Sequence, residues 1–278
     1  LQKPEFGARN NRKNDVNRVT TALSQQAIER FHTRGYLTLD ALIPEEEVEQ
    51  LRQIYDRLFS EKTGWDKGDQ FDLAGTDEGE AALPQLLGPS RYAPELRETH
   101  YVRNARSIAR QLLGPEMIEK HGEHMIFKPA ERGAATPWHQ DQAYHDPTMR
   151  QQGVNFWLPL DDATVESGCL HFVPSSHKLD VLPHHPINND PRIHGLEVDQ
   201  PERYESEAVA CPLPAGGATL HASYMLHSAK ANSSCRPRRA YILTFRLPAQ
   251  KRDIPIDNYW KRAQQTARAA RAERSTAR

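Results

Sequence analysis

The spacing of apolar residues changes near residue 117, and that change limits the folds open to this 278-residue chain. Before it the spacing is helical. Ser24 can cap a short helix carrying Ile28 and Phe31, which Gly35 ends before the strand-like run 36–39. A second helix follows Pro44, with Glu45, Glu46 and Glu47 at the positive end of its dipole and Val48, Leu51, Ile54, Tyr55 and Leu58 at helical spacing. Residues 60–80, rich in Gly and Asp, read as a loop, and a third helix is expected from about Ala93 to Leu113, stopped by Gly114-Pro115. Beyond it come short β-like runs separated by Pro and Gly: 125–128, 154–160, 169–173, 208–213, 218–220 and 240–247. The expectation is an antiparallel barrel or double-sheet roll packed against N-terminal helices.

Residues 1–22 are polar and aperiodic and read as a flexible arm; 23–256 then form a single domain with its helices before about 116. Segment 181–205 is too polar and too interrupted by proline for a strand. It reads as an insert, either a lid over a binding site or structural filler. Residues 257–278 carry six basic and two acidic side chains on an Ala-rich stretch, expected to be a solvated basic helix.

With 36 Lys plus Arg against 37 Asp plus Glu, the chain has no general attraction for nucleic acid or anionic membrane. Its three cysteines show no C-x-x-C spacing, which argues against a disulfide framework and a thiolate zinc site and suits a reducing cytoplasm. No apolar run approaches the roughly 20 residues that span a bilayer, and the polar start is unlike a signal peptide.

The segment T-P-W-H-Q-D holds His139 and Asp141 two positions apart. In extended chain such residues point to one face, so an imidazole and a carboxylate can converge on one ion. His227 lies far downstream, near the start of the last strand pair. Two histidines and one carboxylate on one face of an octahedral ion leave three positions open, the arrangement of non-haem Fe(II) oxygenases. Alone, an H-x-D in a chain with 13 histidines is a weak motif.

Four ordered blocks strengthen it: F-H-T-R-G-Y-L before the Pro-Glu-Glu helix, F-K-P-A-E-R-G through P-W-H-Q-D, W-L-P-L-D-D through P-S-S-H-K, and H-S-A-K-A-N-S-S-C-R-P-R-R. From about Phe31 through Leu247 the chain resembles the phytanoyl-CoA dioxygenase family. The resemblance implies an α+β fold with a mainly β core, a double-stranded β-helix (jelly-roll, cupin-like) barrel buttressed by helices. It implies Fe(II) held by His139, Asp141 and His227, with 2-oxoglutarate and O2 as cosubstrates. Arg238 matches the residue that grips the far carboxylate of 2-oxoglutarate, a task suited to a bidentate, permanently charged guanidinium. Arg238 shares strand parity with Ala240, Ile242 and Thr244, whereas Arg236 and Arg239 read as solvated charges.

Trp157, Met125 and Gln85 also match positions near the cosubstrate or pocket, although Trp157 and Met125 equally suit a packed core. The family often has Ser two positions after the distal His; this chain has Ala229, so that hydrogen bond is absent or comes from Ser228. The implied reaction hydroxylates an unactivated C–H bond of a small polar or anionic metabolite, with release of succinate and CO2. Asp141 stands where halogenating relatives have a small residue. Lys128, Arg132, Tyr144, Arg150 and Asn155 flank the metal block as candidate anion contacts, and the pair His184-His185 as surface or structural residues. A catalytically silent binding module and a zinc hydrolase are the competing readings; the second leaves Arg238 unexplained.

Overall fold

The structure is a computed structural model describing residues 19–276; most of the expected N-terminal arm, 1–18, lies outside the described residues. The N-terminal half begins with α1 (Gln25–Arg34), β1 (Tyr36–Leu39) and α2 (Glu45–Ser60). The Ser24 side chain accepts from Ala27 N at 3.2 Å, and Gly35 ends α1 in the left-handed region at φ 85°. Strands β2 (Gln70–Asp72) and β3 (Pro84–Leu87) come next, so part of the expected loop is paired. The third helix, α3 (His100–Leu113), starts later than its spacing suggests. Pro94–Glu98 winds as a 3₁₀ turn, and Thr99 caps the helix proper by accepting from Val102 N. Glu47 of α2 also accepts from His100 N and Tyr101 N at 2.6 and 2.8 Å, tying the two helices together.

The second half runs β4 (Gly122–Lys128), β5 (Thr136–His139), β6 (Met149–Arg150), β7 (Gly153–Pro159) and β8 (Leu170–Phe172). It continues with β9 (His184–Pro186), β10 (Leu196–Val198), α4 (Glu202–Glu205), β11 (Val209–Cys211) and β12 (Ala218–Ala222). Strands β13 (His227–Ala229), β14 (Arg238–Arg246) and β15 (Gln250–Lys251) precede helices α5 (Tyr259–Ala263) and α6 (Ala267–Thr276). A seven-stranded antiparallel sheet has the order β1-β12-β7-β14-β4-β3-β2, and a four-stranded sheet has β11-β8-β13-β5. Among the described residues no ladder joins the two, so the strands do not close into a barrel.

Alternation along the central strands builds two cores. Phe156 and Leu158 of β7, with Tyr241, Leu243 and Phe245 of β14, face the helices and pack on Leu51, Tyr101 and Ile108. The Tyr101 hydroxyl reaches Phe156 O and Tyr241 O, each at 2.9 Å, in the middle of this layer. Trp157 and Ile242 face the other way, onto Leu170, Phe172 and Ala229 of the small sheet. The cavity lies between the sheets.

Two expectations change. Segment 181–205 does pair, as the β9–β10 hairpin, because Leu196 and Val198 alternate inward and need no long apolar run to do so. The basic tail is not a solvated helix. Trp260 is 2% exposed, and the Arg271 guanidinium lies 3.7 Å over the Trp65 ring, bonds Trp65 O and Gln70 O, and pairs with Asp77. At Gly68 (φ 71°) a Cβ would sit 2.9 Å from Arg268 O, so α6 approaches as closely as it does only because that position is glycine. No helix among the described residues is long and apolar enough to cross a membrane.

Candidate functional site

Strands β5 and β13 are neighbours in the small sheet, and their register sets His139 directly opposite His227. The two rings are 4.2 Å apart, centre to centre. Asp141 begins a 3₁₀ turn rather than continuing the strand, but Gln140 remains extended (φ −116°, ψ 131°), so the carboxylate keeps the same face as His139. One ligand atom from each of His139, Asp141 and His227 lies within 4.8 Å of the others. His139 Nδ1 is 2.8 Å from Pro137 O, and His227 Nδ1 is 2.9 Å from Met225 O. Each Nδ1 must donate to its carbonyl, which leaves each Nε2 with a free lone pair turned toward Asp141 Oδ1, at 3.6 and 3.7 Å. This is the donor set a divalent transition metal takes: two neutral imidazoles and a carboxylate.

Two side chains that the sequence did not assign to this centre shape it. Asn155 Nδ2 donates to Asp141 Oδ2, and His221 Nε2 lies 3.3 Å from the same oxygen. With Oδ2 held, Oδ1 is the oxygen facing the histidines. Asn155 thus braces the carboxylate from the cavity wall, and His221 is one of 13 histidines that no local spacing distinguishes. Burial would raise the Asp141 carboxyl, but His227, His139 and His221 hold it well below its ordinary range. His227 is pushed well down, first by burial and then by His139, and stays neutral.

The triad opens into a cavity of about 380 Å³ that Arg238 and Trp157 line from the large sheet. Arg238 is 1% exposed, and neither its Nε nor its Nη1 has a partner. Its guanidinium carbon sits 5.1 Å from the centre of the Trp157 ring, and burial lowers its pKa to about 10. A buried cation without a counter-ion is costly unless something anionic completes it. Arg239, one residue on, points away and pairs with Asp56 and Asp161 at 2.6 and 2.9 Å.

Other expected residues sort by face. Gln85 lines the cavity from β3, at 7% exposure. Met125 does not line it: on β4 it is His124 and Ile126 that face the cavity, so Met125 falls into the helix-side core. Ser228 also points elsewhere, while Ala229 lines the cavity opposite Thr136. The expected anion contacts are committed: Lys128 to Ala134 O and Ala229 O, Arg132 to Glu80, and Arg150 to Asp180. At the outer end of the cavity, Tyr144 and His194 pack at 5.7 Å and Arg246 holds only a 3.3 Å bond to Gln151 Oε1. Burial pulls His194 and His124 down to about 4, which keeps both neutral.

Residues 31–240 match the phytanoyl-CoA dioxygenase (PhyH) family. The chain belongs to that family. Among curated proteins, a phytanoyl-CoA dioxygenase of Arabidopsis thaliana is 26% identical over 81% of this chain and 89% of its own length. The L-proline trans-4-hydroxylase of Streptomyces griseoviridis is 27% identical over 78% and 84%. Among solved structures, EvdO2 from Micromonospora carbonacea var. aurantiaca is 41% identical, with a TM-score of 0.76 over 87% of this chain and 98% of that one. A further EvdO2 structure, complexed with 2-oxoglutarate, aligns with a TM-score of 0.75 at 39% identity over 88% and 98%. The family match ends at Ala240, the third residue of β14, so α5 and α6 lie beyond it.

Proposed function

We propose that this phytanoyl-CoA dioxygenase family member is an Fe(II)- and 2-oxoglutarate-dependent dioxygenase that hydroxylates a C–H bond of a small polar metabolite, releasing succinate and CO2. The observation that carries the reading is the unpartnered, buried guanidinium of Arg238 in the same cavity as the His139–Asp141–His227 donor set. A metal triad alone would suit several chemistries; a fixed fork for one carboxylate, set apart from a centre with open coordination positions, suits a dicarboxylate that also chelates the metal.

In this reading His139 Nε2, Asp141 Oδ1 and His227 Nε2 hold Fe(II), which when bound supplies the redox chemistry with O2. Arg238 grips the far carboxylate of 2-oxoglutarate while Trp157 and Ile242 exclude water around its chain. Substrate enters from the end where Tyr144 and His194 lie, and Arg246 is the cation an anionic group on it would meet. We read the two facing sheets as the halves of an open jelly roll in one domain, 23–256, with the β9–β10 insert covering the substrate end. Three free thiols suit a cytoplasmic enzyme.

The test is a panel of polar metabolites incubated with Fe(II), 2-oxoglutarate and O2, following succinate and product mass. Substrate-dependent succinate from wild type, and none from His139→Ala, Asp141→Ala or His227→Ala, is the expected result. Turnover without O2 or without 2-oxoglutarate would sink the reading.

A further inference from the structure

The residue between the two metal-binding side chains of the H-x-D block has no counterpart in the reading above. Gln140 is completely buried, and its main chain sets the distance between His139 and Asp141. Its backbone N–H donates to His184 Nε2 at 3.2 Å. His184 Nδ1 in turn lies 2.7 Å from Leu182 O, and Leu182 N donates back to Gln140 Oε1 at 2.8 Å. These three bonds form a closed ring. They also fix the tautomer: His184 must carry its proton on Nδ1 to donate to Leu182 O, which leaves Nε2 as the acceptor Gln140 N requires.

His184 is itself fully buried, and Trp260 of α5 closes over it with ring centres 5.5 Å apart. The Trp260 indole N–H reaches Ala143 O at 3.1 Å. The backbone on both sides of Asp141 is therefore held, at Gln140 by His184 and at Ala143 by Trp260. Neither residue reaches the cavity, and Trp260 lies beyond the span of the family match.

We propose that His184 and Trp260 are positioning residues that hold the His139–Gln140–Asp141 backbone in metal-binding geometry. The inference rests on the metal reading of His139, Asp141 and His227. Its physical basis is that outer groups orienting metal ligands typically change metal affinity by about 10- to 100-fold when removed. Of the two ring nitrogens, it is Nε2 that holds the Gln140 backbone, while Nδ1 fixes the ring on Leu182 O. Gln places an amide oxygen near the Nε2 position, so His184→Gln keeps the bond that His184→Leu loses.

The experiment is anaerobic titration of the full chain with Fe(II) in the presence of 2-oxoglutarate, read by the visible absorption of the ternary complex and by the Fe(II) Kd. H184L should bind Fe(II) about 10- to 100-fold more weakly, with H184Q close to wild type. Wild-type affinity in H184L, or an equal loss in H184Q and H184L, overturns the proposal. Should H184L fail to melt cooperatively, Trp260→Phe decides. It keeps the packing and removes only the donor to Ala143 O; a several-fold weaker Kd supports the proposal and an unchanged one refutes it. Failure of wild type to bind Fe(II) would instead overturn the dioxygenase reading, so the two outcomes are separable.

Discussion

Replacing Arg238 by Met should have opposite effects on the free protein and on its affinity for 2-oxoglutarate. In the free protein the guanidinium is buried with Nε and Nη1 unpaired, and its pKa is lowered to about 10, so folding must carry a charge into a site that disfavours it. Met fills similar volume against Trp157 without that penalty, and relief of even about 1 kcal/mol would raise the melting temperature by roughly 2–4 °C for a chain of this size. Binding changes the sign. Removing one partner of a buried charge pair costs about 2–5 kcal/mol, which is roughly a 30- to several-thousand-fold rise in the Kd for 2-oxoglutarate.

Thermal unfolding of the Fe(II) protein with and without 2-oxoglutarate reads both effects. At about 100 times its Kd the ligand stabilises wild type by about 2.7 kcal/mol, and at the same concentration this shift should fall below about 1 kcal/mol in Arg238→Met. Arg239→Met is the control: it loses its pairs with Asp56 and Asp161 and some stability, about 1 kcal/mol or less for partly exposed partners, but should keep the full ligand shift. If Arg238→Met retains the shift and Arg239→Met loses it, the facing of β14 is wrong by one residue and the cosubstrate site moves with it.

Three other outcomes are expected. Asn155→Ala removes one of the two groups on Asp141 Oδ2, leaving His221 beside it, and should weaken Fe(II) binding by about 10-fold or more while 2-oxoglutarate affinity, measured with metal saturating, stays near wild type; equal Fe(II) affinity would show that the Asn155 brace is idle. Burial holds His184 near pH 4 against about 6.5 in the unfolded chain, so the unfolded state takes up the proton first. Stability is full above about pH 6.5 and is lost toward pH 4, by roughly 3 kcal/mol at the acid end; H184Q should flatten that part of the melting-temperature profile, and an unchanged slope would contradict it. Replacing 187–194 by a Gly-Ser linker, with His184 kept, should preserve Fe(II) and 2-oxoglutarate binding but raise succinate release without substrate, whereas normal coupling would make the insert filler.

What the sequence made legible was local. The helix caps at Ser24 and Gly35, the two-residue step from His139 to Asp141 and the inward parity of Arg238 follow from period and turn chemistry within a few residues. Met125 shows the limit of residue type as a guide: His124 and Ile126 take the cavity face, and alternation leaves Met125 in the core. Asn155, His221 and His184 act on Asp141 and Gln140 from 14, 80 and 44 residues away, and no periodicity links such positions. The tail departs from its expected solvated helix for the same reason. Its Arg and Lys side chains have the composition of a solvated helix, and only the fold brings Trp65, Asp77 and Tyr144 beneath them.

The register that sets His139 opposite His227 also determines when the metal site can exist. β5 and β13 are far apart in the chain, and contacts between such distant strands form late and slowly because loop closure precedes their reward. Metal capture is then an end-stage event, and Fe(II) would act on the finished protein as a clasp between two strands of one sheet. A chain that has reached every other contact but lacks this pairing would expose the edges of β5 and β13 to foreign strands. Loading with metal should therefore slow unfolding more than it speeds folding.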